Sequence, residues 1–336
     1  MCLKNNDLKI LEWVKVWPIL FIKGVIKMIK YILKRILWLI PILIGVSFVV
    51  FTIMYLAPGD AALVILGENA SPEALQALRE QMGLNDPFLI QYFRYAFNVF
   101  IRFDFGRSYV DNRVVIDEIL LRMPNTLLLA SLSIFFAALI GIPIGVIAAK
   151  KPNSKTDHSL MAISLFGVSV PTFWQAIILV IIFSLNLKWF PSAGFSSPQQ
   201  MVLPVLALAS TSIGSIARIT RSSMIDVLNQ DYIRTARSKG VSQRKTIYDH
   251  ALKNALIPVI TVIGLQFGAL LGGAVLTESI FSINGLGVMM VNAIRQEDIM
   301  KVQGAVLFVA FLFTIVNLFV DILYAYIDPR IKSQYK

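Results

Sequence analysis

Long apolar runs, separated by charged segments, form the main pattern of this chain. The first run, residues 36–56, holds 21 residues without a charge. A helix of that length measures about 31 Å, which matches the roughly 30 Å hydrocarbon core of a bilayer. The spans that we predict are 36–56, 126–149, 160–187, 201–219, 256–277 and 306–327. The pattern therefore predicts an all-α membrane protein with six transmembrane helices.

The charges between these runs indicate the orientation of the chain. The segment before the first span has eight basic and two acidic residues, and residues 218–253 have eight basic and three acidic residues. The loop after the first span has nine acidic and six basic residues. Because Lys and Arg are concentrated in cytoplasmic loops, we predict that both termini are cytoplasmic and that residues 58–124 are external.

Composition agrees with a membrane protein and excludes several other classes. The chain is 57% hydrophobic and 15% charged, whereas soluble domains have about 25% charged residues. The net charge of +11 is explained by the basic cytoplasmic segments, so we do not expect nucleic acid as a partner. Cys2, His158 and His250 are the only residues of their types. A single cysteine excludes a disulfide framework within the chain, and one cysteine with two histidines is too few for a Cys/His metal cluster.

A basic stripe lies in the unit that precedes the first span. Lys23, Lys27, Lys30 and Lys34 are spaced to share one face of a helix. With the tryptophans and aliphatic residues around them, they are typical of a helix over residues 13–35 that lies in the headgroups of an anionic leaflet. The lysines argue against a seventh span. The predicted units are 1–35, the membrane domain 36–327 and the tail 328–336.

Two polar segments between spans are predicted to fold. In the external loop, Ser71 followed by Pro72 is a helix start and Gly83 is a helix end. Asp86-Pro87 predicts a second helix there, although a simple spacer remains the alternative. Between the fourth and fifth spans, we predict two short helices, 226–238 and 242–256. Gly240 permits the sharp turn between them.

Several motifs resemble the permease subunits of ABC importers in the dipeptide, oligopeptide and nickel family. His250-Ala251-Leu252-Lys253-Asn254, with a later proline, has the form found in peptide permeases. The general Glu-Ala-Ala triplet falls on residues 234–236 and matches at Ala236 only. Further segments that resemble the family are 57–60, 83–87, 104–108, 122–126, 278–287 and 321–330. The resemblance covers residues 28–333, so Met28 is an alternative start to Met1.

This resemblance implies a non-catalytic, multi-pass subunit of a bacterial cell membrane. Its implied partners are a homologous second permease, two cytoplasmic ATPase subunits, an external substrate-binding protein and membrane lipid. Residues 58–124 would form a lid beneath the binding protein, and residues 226–256 would be the coupling loop. The chain has no Gly-x-x-x-x-Gly-Lys-Ser/Thr motif. We therefore expect no cofactor in this chain, with ATP and Mg used by the partner ATPases.

Three groups of candidate residues follow from the resemblance and from the spans. Small residues at intervals of four let two helices approach closely in lipid, either in ordinary helix packing or against a second permease subunit that would supply the other face. Asp321 lies within the last span, where an acid needs a partner. We expect Arg218 or Arg221 to provide it, and an acid that anchors the helix near the interface is the equal alternative. The ATPase-coupling candidates are Thr235, Ala236, Gly240, His250, Leu252 and Asn254. The gate or pore candidates are Gln175, Arg218, Arg221, Gln266, Glu278 and Asp321. The helix-packing candidates are Gly264, Gly268 and Gly272.

The substrate stays open at this point. Di- and oligopeptides are the first expectation, and nickel chelates and glutathione are alternatives within the same family. A proton-coupled secondary transporter is the alternative of another class. It would need a relay of acids in the membrane, and Asp321 stands nearly alone there.

Overall fold

The computed structural model describes residues 33–57, 59–67 and 69–327, without the side chains of residues 321 and 323–327. Most of the predicted N-terminal helix over 13–35 and the tail 328–336 lie outside the described residues. The regular secondary structure of the described residues is helical, apart from one isolated bridge between Arg107 and Val114. The α-helices are α1 Leu33–Leu56, α2 Ala61–Leu66, α3 Pro72–Met82, α4 Phe88–Ile101, α5 Val115–Lys150, α6 Lys155–Ser169, α7 Thr172–Leu179, α8 Pro198–Leu228, α9 Asp231–Ser238, α10 Gln243–Lys245, α11 Leu252–Gly273, α12 Val275–Ile280, α13 Leu286–Arg295 and α14 Ile299–Ile327. Two π-helical segments, Val180–Asn186 and Thr246–Ala251, extend α7 and join α10 to α11.

Five helices of the described chain are long and apolar enough to cross a membrane. They are α1, α5, α8, the continuous helix Gln243–Gly273 and α14. Four of them contain a predicted apolar run, whereas the predicted run 256–277 extends past Gly273 into α12. The pair α6 and α7, with its π-helical extension, makes a sixth span if it is counted as one.

The third predicted span, 160–187, is wrong as a straight helix. The two helices of this pair meet at an angle of 100°. Pro171 causes the break because its ring excludes the helical conformation of the residue before it, and Val170 is extended at φ −92° and ψ 131°. The Gln175 amide donates to the carbonyl groups of Gly167 at 2.7 Å and Val170 at 2.8 Å. The predicted pore residue Gln175 therefore satisfies carbonyls that the break leaves free.

Helix α8 lies at the centre of the packing, in contact with α5, α6 and α11. Small residues bring these backbones close together. A side chain at Gly145 of α5 would come within 2.5 Å of Thr220 Cβ and 2.6 Å of the Ala217 carbonyl oxygen in α8. Gly167 of α6 likewise lies against the Ser210 carbonyl oxygen, 2.8 Å from the position of a Cβ. Only glycine permits these approaches.

The segment between α1 and α5 folds as predicted for its helices. Ser71 Oγ accepts from the amide of Ala74 at 3.2 Å, and Gly83 ends α3 in the left-handed conformation at φ +67°. Pro87 precedes α4. The aromatic residues of α4 pack on α1, and the ring contacts involve Phe48, Phe51, Tyr55, Phe88, Tyr92 and Tyr95. Helix α5 begins at Val115, within the segment 58–124 that is predicted to be external.

The glycines of the fifth span pack within the chain. A Cβ on Gly264 would overlap the Val320 side chain of α14, and a Cβ on Gly268 would lie 2.6 Å from the Phe313 ring. Gly272 has nothing within 4 Å. Gly264 and Gly268 therefore take part in ordinary helix packing within the chain, where α14, and not a second subunit, covers them.

This difference predicts unequal effects of two matched substitutions. Gly264→Ala should destabilise the purified protein by about 1–3 kcal/mol, since overpacking a tight contact costs that much. Gly272→Ala should be neutral or stabilising, because alanine favours a helix by about 1 kcal/mol over glycine. The measurement is unfolding of both variants in detergent. Equal stabilities would show that the contact between α11 and α14 does not set the stability.

Candidate functional site

The first short helix of the polar segment, α9, is anchored by a single buried side chain. It starts at Asp231 and not at residue 226, because α8 continues to Leu228. Ile233 is fully buried, while the side chains of Asp231 and Arg234 are 99% and 72% exposed. The cluster around Ile233 contains Val146, Ala149, Met224, Ile247, Ala251 and Ala255. One face of α9 is therefore fixed to the ends of α5 and α8, and the opposite face is open.

The second short helix, predicted over 242–256, is not a separate element. A continuous helix runs from Gln243 to Gly273 through the π-helical segment Thr246–Ala251. Ser242 begins it, with Oγ accepting from the Lys245 amide at 3.5 Å. Gly240 makes the turn from α9 at φ +81°. A displacement applied near residue 243 is therefore carried by one helix into the fifth apolar span.

The predicted coupling residues lie along this turn. Thr235, Gly240, His250 and Asn254 are exposed, and Ala236 and Leu252 are partly buried. Asn254 Nδ2 donates to the Tyr232 hydroxyl at 2.9 Å and to the His250 carbonyl at 3.1 Å. The first of these bonds joins α9 to α11. We call the exposed face formed by α9 and Gln243–His250 the α9 surface.

The structure gives Arg221 a different partner from the predicted Asp321. Its guanidinium binds Asp157 through two bonds, Nε to Oδ1 at 2.5 Å and Nη2 to Oδ2 at 2.5 Å. The Asn153 amide donates to the same carboxylate at 2.8 Å. The short turn between α5 and α6 brings Asp157 against the end of α8, at the same end of the bundle as α9. Arg221 is therefore paired with Asp157 among the described residues, and the expected pairing of Asp321 with Arg218 or Arg221 stays a prediction.

The remaining gate and pore candidates have fewer contacts with described residues. Arg218 is exposed and makes no ion pair with a described residue. Gln266 is partly buried, and its side chain forms no hydrogen bond within the described part of the chain. The Asp321 side chain lies outside the description.

Glu278 lies inside the fold and not along an open passage. Its carboxylate is 0% exposed. Thr126 donates to Oε1 at 2.6 Å, and the Val288 amide donates to Oε2 at 3.1 Å. Thr126 also accepts from the Leu286 amide at 2.9 Å. Glu278 therefore binds the first turn of α13, where helix amides attract negative charge, and joins it to α5.

A second buried network fixes the start of α14 to the loop before α5. Asp298 is 0% exposed, and it accepts from Ser108 Oγ at 2.5 Å and from the Tyr109 amide at 3.3 Å. Lys301 Nζ donates to Asp111 at 2.8 Å and lies 3.7 Å from Asp298. Every ion of this network thus has a partner, as buried charges require.

The Asp111 carboxyl stays ionised across the physiological range. Burial opposes its ionisation, but hydrogen bonds from Lys301 and Ser108 lower its pKa to about 2, from 3.8. A group whose pKa is lowered on folding stabilises the folded state above the unfolded pKa. The Asp111 contribution is therefore complete above pH 3.8 and is lost only as the pH falls toward about 2.

Sequence reasoning missed the roles of Asp157, Asp298 and Lys301. Asp157 stands three residues after Ser154, a spacing that signals a helix start but says nothing about Arg221. Lys301 follows Asp298 by three residues, which predicts only a local pair. Their distant partners lie 64 and 190 residues away along the chain, and no local pattern reveals them.

The sequence of this chain matches a known protein family over most of its length. The family described as binding-protein-dependent transport system inner membrane component matches residues 141–333, and its N-terminal domain matches residues 28–130. The chain belongs to this family. It is therefore a multi-pass permease subunit of a bacterial inner membrane, in a class of ATP-binding-cassette transport systems whose membrane component is non-catalytic.

Three curated relatives match along almost their whole length. The dipeptide transport system permease protein of Alkalihalophilus pseudofirmus is 43% identical over 333 residues, covering 91% of this chain and 100% of that protein. The oligopeptide transport system permease protein of Bacillus subtilis is 40% identical, covering 91% and 100%. The glutathione transport system permease protein of Salmonella paratyphi A is 42% identical, covering 91% and 99%.

A solved structure shares the fold of the permease. The inward-facing MetNI methionine ABC transporter superimposes with a TM-score of 0.56 at 16% identity, covering 63% of this chain and 97% of that chain. At this identity the likeness concerns the fold.

The ion pair of Arg221 yields a test with a matched control. Arg221→Gln and Asp157→Asn should each lower the unfolding free energy by about 2 kcal/mol. This is less than the roughly 3–5 kcal/mol of a fully buried pair, because the Arg221 side chain is 26% exposed. The double variant should cost less than the two single variants together. Arg218→Gln, on the same helix, should stay within about 0.5 kcal/mol of the parent.

The measurement is unfolding of the purified permease in increasing SDS. Additive losses in the double variant would show that Arg221 and Asp157 act independently, and an equal loss in Arg218→Gln would remove the special role of Arg221.

Proposed function

We propose that this permease forms half of the translocation pore of an ATP-driven importer of di- and oligopeptides. The observation that carries the proposal is the mechanical continuity between α9, anchored by Ile233, and the helix Gln243–Gly273. Together they form an open polar surface fixed directly to a membrane span. This is the arrangement that a separate motor subunit needs in order to move a pore helix.

The proposed topology has six spans with both termini in the cytoplasm. The bent pair of α6 and α7 is the third span, and its break leaves a polar turn partway along. The basic residues of the α9 surface and of the turn after α5 lie at one end of the bundle. The positive-inside rule assigns that end to the cytoplasm. The segment with α2, α3 and α4 is then an external lid.

In the proposed mechanism, two cytoplasmic ATPase subunits bind ATP and Mg and close on each other. One of them carries the α9 surface with it, and its groove accepts the exposed face of α9 as grooves accept amphipathic helices. Because α9 is fixed through Ile233 to the ends of α5 and α8, the movement reaches these helices as a rigid-body shift. A homologous second permease completes the pore, and an external binding protein delivers the substrate to the lid.

Peptides are the proposed substrate because two of the relatives are named for dipeptide and oligopeptide transport. Glutathione is the second candidate, since the third relative is named for glutathione transport at similar identity and coverage. Glutathione is itself a modified tripeptide, so both candidates share amide groups, a free amine and carboxylates.

The turn at Gly240 tests the coupling role. Because nothing lies within 4 Å of a Cβ at this position, a side chain meets no clash and only the φ of +81° opposes it. Gly240→Val should therefore impose about 1–2 kcal/mol of strain. This strain would lower the population of the turn conformation roughly five- to thirtyfold relative to other conformations. Gly240→Asn should be milder, because asparagine tolerates the left-handed conformation.

We expect that peptide uptake and ATP hydrolysis become uncoupled in Gly240→Val, while the amount of the permease in the membrane stays normal. Gly240→Asn should retain most of the uptake. Uptake by Gly240→Val at the parental rate would argue strongly against this turn as the transmission.

The substrate proposal is tested in the organism that carries the gene. Deleting the gene should abolish uptake of labelled dipeptides and tripeptides, and collapsing the proton gradient while preserving ATP should leave uptake intact in the parent. Labelled glutathione, tested in parallel, distinguishes the second candidate. Dependence on the proton gradient alone would favour a secondary transporter and overturn the importer.

A further inference from the structure

A large cavity lies beneath the helices that precede α5. It has a volume of about 570 Å³, within the range of about 300–1,000 Å³ typical of small-molecule sites. Its walls come from the end of α1, the helices α3 and α4, the loop around Gly106 and the first turns of α14. The cavity thus lies between the lid segment and two helices of the membrane domain and is open on one side.

Three polar side chains in this cavity have no partner. The Tyr95 hydroxyl is buried and accepts or donates no hydrogen bond within the described part of the chain. Gln303, which is 3% exposed, and Asn98 also make no side-chain hydrogen bond with described residues. Buried polar groups are nearly always hydrogen-bonded, because leaving one unpaired is costly. Tyr95 and Gln303 are such groups, and Asn98 beside them is partly buried, so this wall of the cavity points to a polar occupant.

The charges on the wall indicate the kind of occupant. Two carboxylates and two guanidinium groups line the cavity, from Asp60, Asp104, Arg79 and Arg94. Asp60 and Arg79 bind each other, with Nε to Oδ2 at 2.9 Å, and their side chains remain 24% and 40% exposed. The Arg79 hydrogen bond lowers the pKa of Asp60, so both charges are present. A cavity wall with equal numbers of positive and negative side chains suits a zwitterion better than a simple anion or cation.

The rest of the wall is apolar and adaptable. Phe51, Tyr55, Met54, Met82 and Met300 contribute to it. Aromatic rings and methionines accommodate side chains of varied shape. An acyl chain would leave Tyr95, Asn98 and Gln303 unpaired, whereas the amide groups of a peptide would satisfy them.

We propose that this cavity binds a di- or tripeptide on its way from the binding protein to the pore. The peptide amides pair with Tyr95, Asn98 and Gln303, and its termini lie toward Asp60 and Arg79. The inference rests on the proposed function and adds a binding site within this chain, separate from the pore between the two permeases.

The first test is protection of a cysteine in the assembled importer. Cys2 is the one cysteine of the chain, so Cys2→Ser provides a clean background for Asn98→Cys. Dialanine in millimolar amounts should slow maleimide labelling at this position about tenfold, and free alanine should not. Leu89→Cys, on α4 at an exposed residue outside the cavity, is the control and should be labelled equally with and without dialanine. Equal labelling of Asn98→Cys under all conditions would overturn the site.

The second test removes one hydroxyl. Tyr95→Phe keeps the ring that stacks on Phe51 and should raise the KM for dialanine uptake about three- to tenfold, the usual worth of one hydrogen bond, with an unchanged maximal rate. If nothing binds there, loss of an unpaired hydroxyl leaves the KM unaltered and the stability equal or higher, which would contradict the proposal. Tyr92→Phe is the control, since its hydroxyl bonds Ser47 at 3.1 Å and does not line the cavity. It should lower stability without changing the KM.

The two levels of the proposal fail separately. An importer that transports dialanine, with no protection at Asn98→Cys and no KM change in Tyr95→Phe, retains the proposed function and loses this site. An importer that transports no peptide loses the proposed function, and the protection assay then decides the site alone.

Discussion

The close contact of α8 with α5 and α6 is the constraint on which the rest of the fold depends. Gly145 and Gly167 let backbone and side chains meet at distances that any other residue would block. Small residues serve this purpose in membranes, where burial from lipid gives little driving force and packing must supply the attraction. This contact between the helices also brings Asp157 to Arg221 and closes the apolar cluster around Ile233. The position of the α9 surface therefore depends on the contact of α8 with α5 and α6.

Different kinds of interaction fix the two ends of the helix bundle. At the α9 end, one buried isoleucine and an apolar cluster fix a short helix, which leaves its polar face free for a partner. At the opposite end, Asp298, Lys301 and Glu278 are buried with specific hydrogen-bond partners. Such networks fix geometry more than they add stability. The cavity beside α3 and α4 therefore has firm walls on the α14 side.

Local rules predicted the local features of this chain. The apolar runs marked the long helices, Ser71 and Gly83 marked the limits of α3, and Gly240 marked a left-handed turn. The failures concern relations between distant residues. Pro171 was visible and marks the break, but no local pattern gives the 100° angle between the two helices. The pairing of Arg221 with Asp157 was not predicted, because the charge of Arg221 indicates only that it needs an acid, whereas the packing of α6 on α8 determines which acid it meets.

Contacts between α11 and α14 connect these two ends. The helix that begins at Gln243 passes Gly264 and Gly268, where Val320 and Phe313 of α14 close on it without intervening side chains. The first turn of α14 in turn holds the loop with Ser108 and Asp111, which borders the cavity at Gly106 and Tyr109. Packed interiors shift between discrete arrangements and do not deform continuously. A shift of α11 driven from the α9 surface must therefore either slide along α14 at the glycines or carry α14, and with it one wall of the cavity.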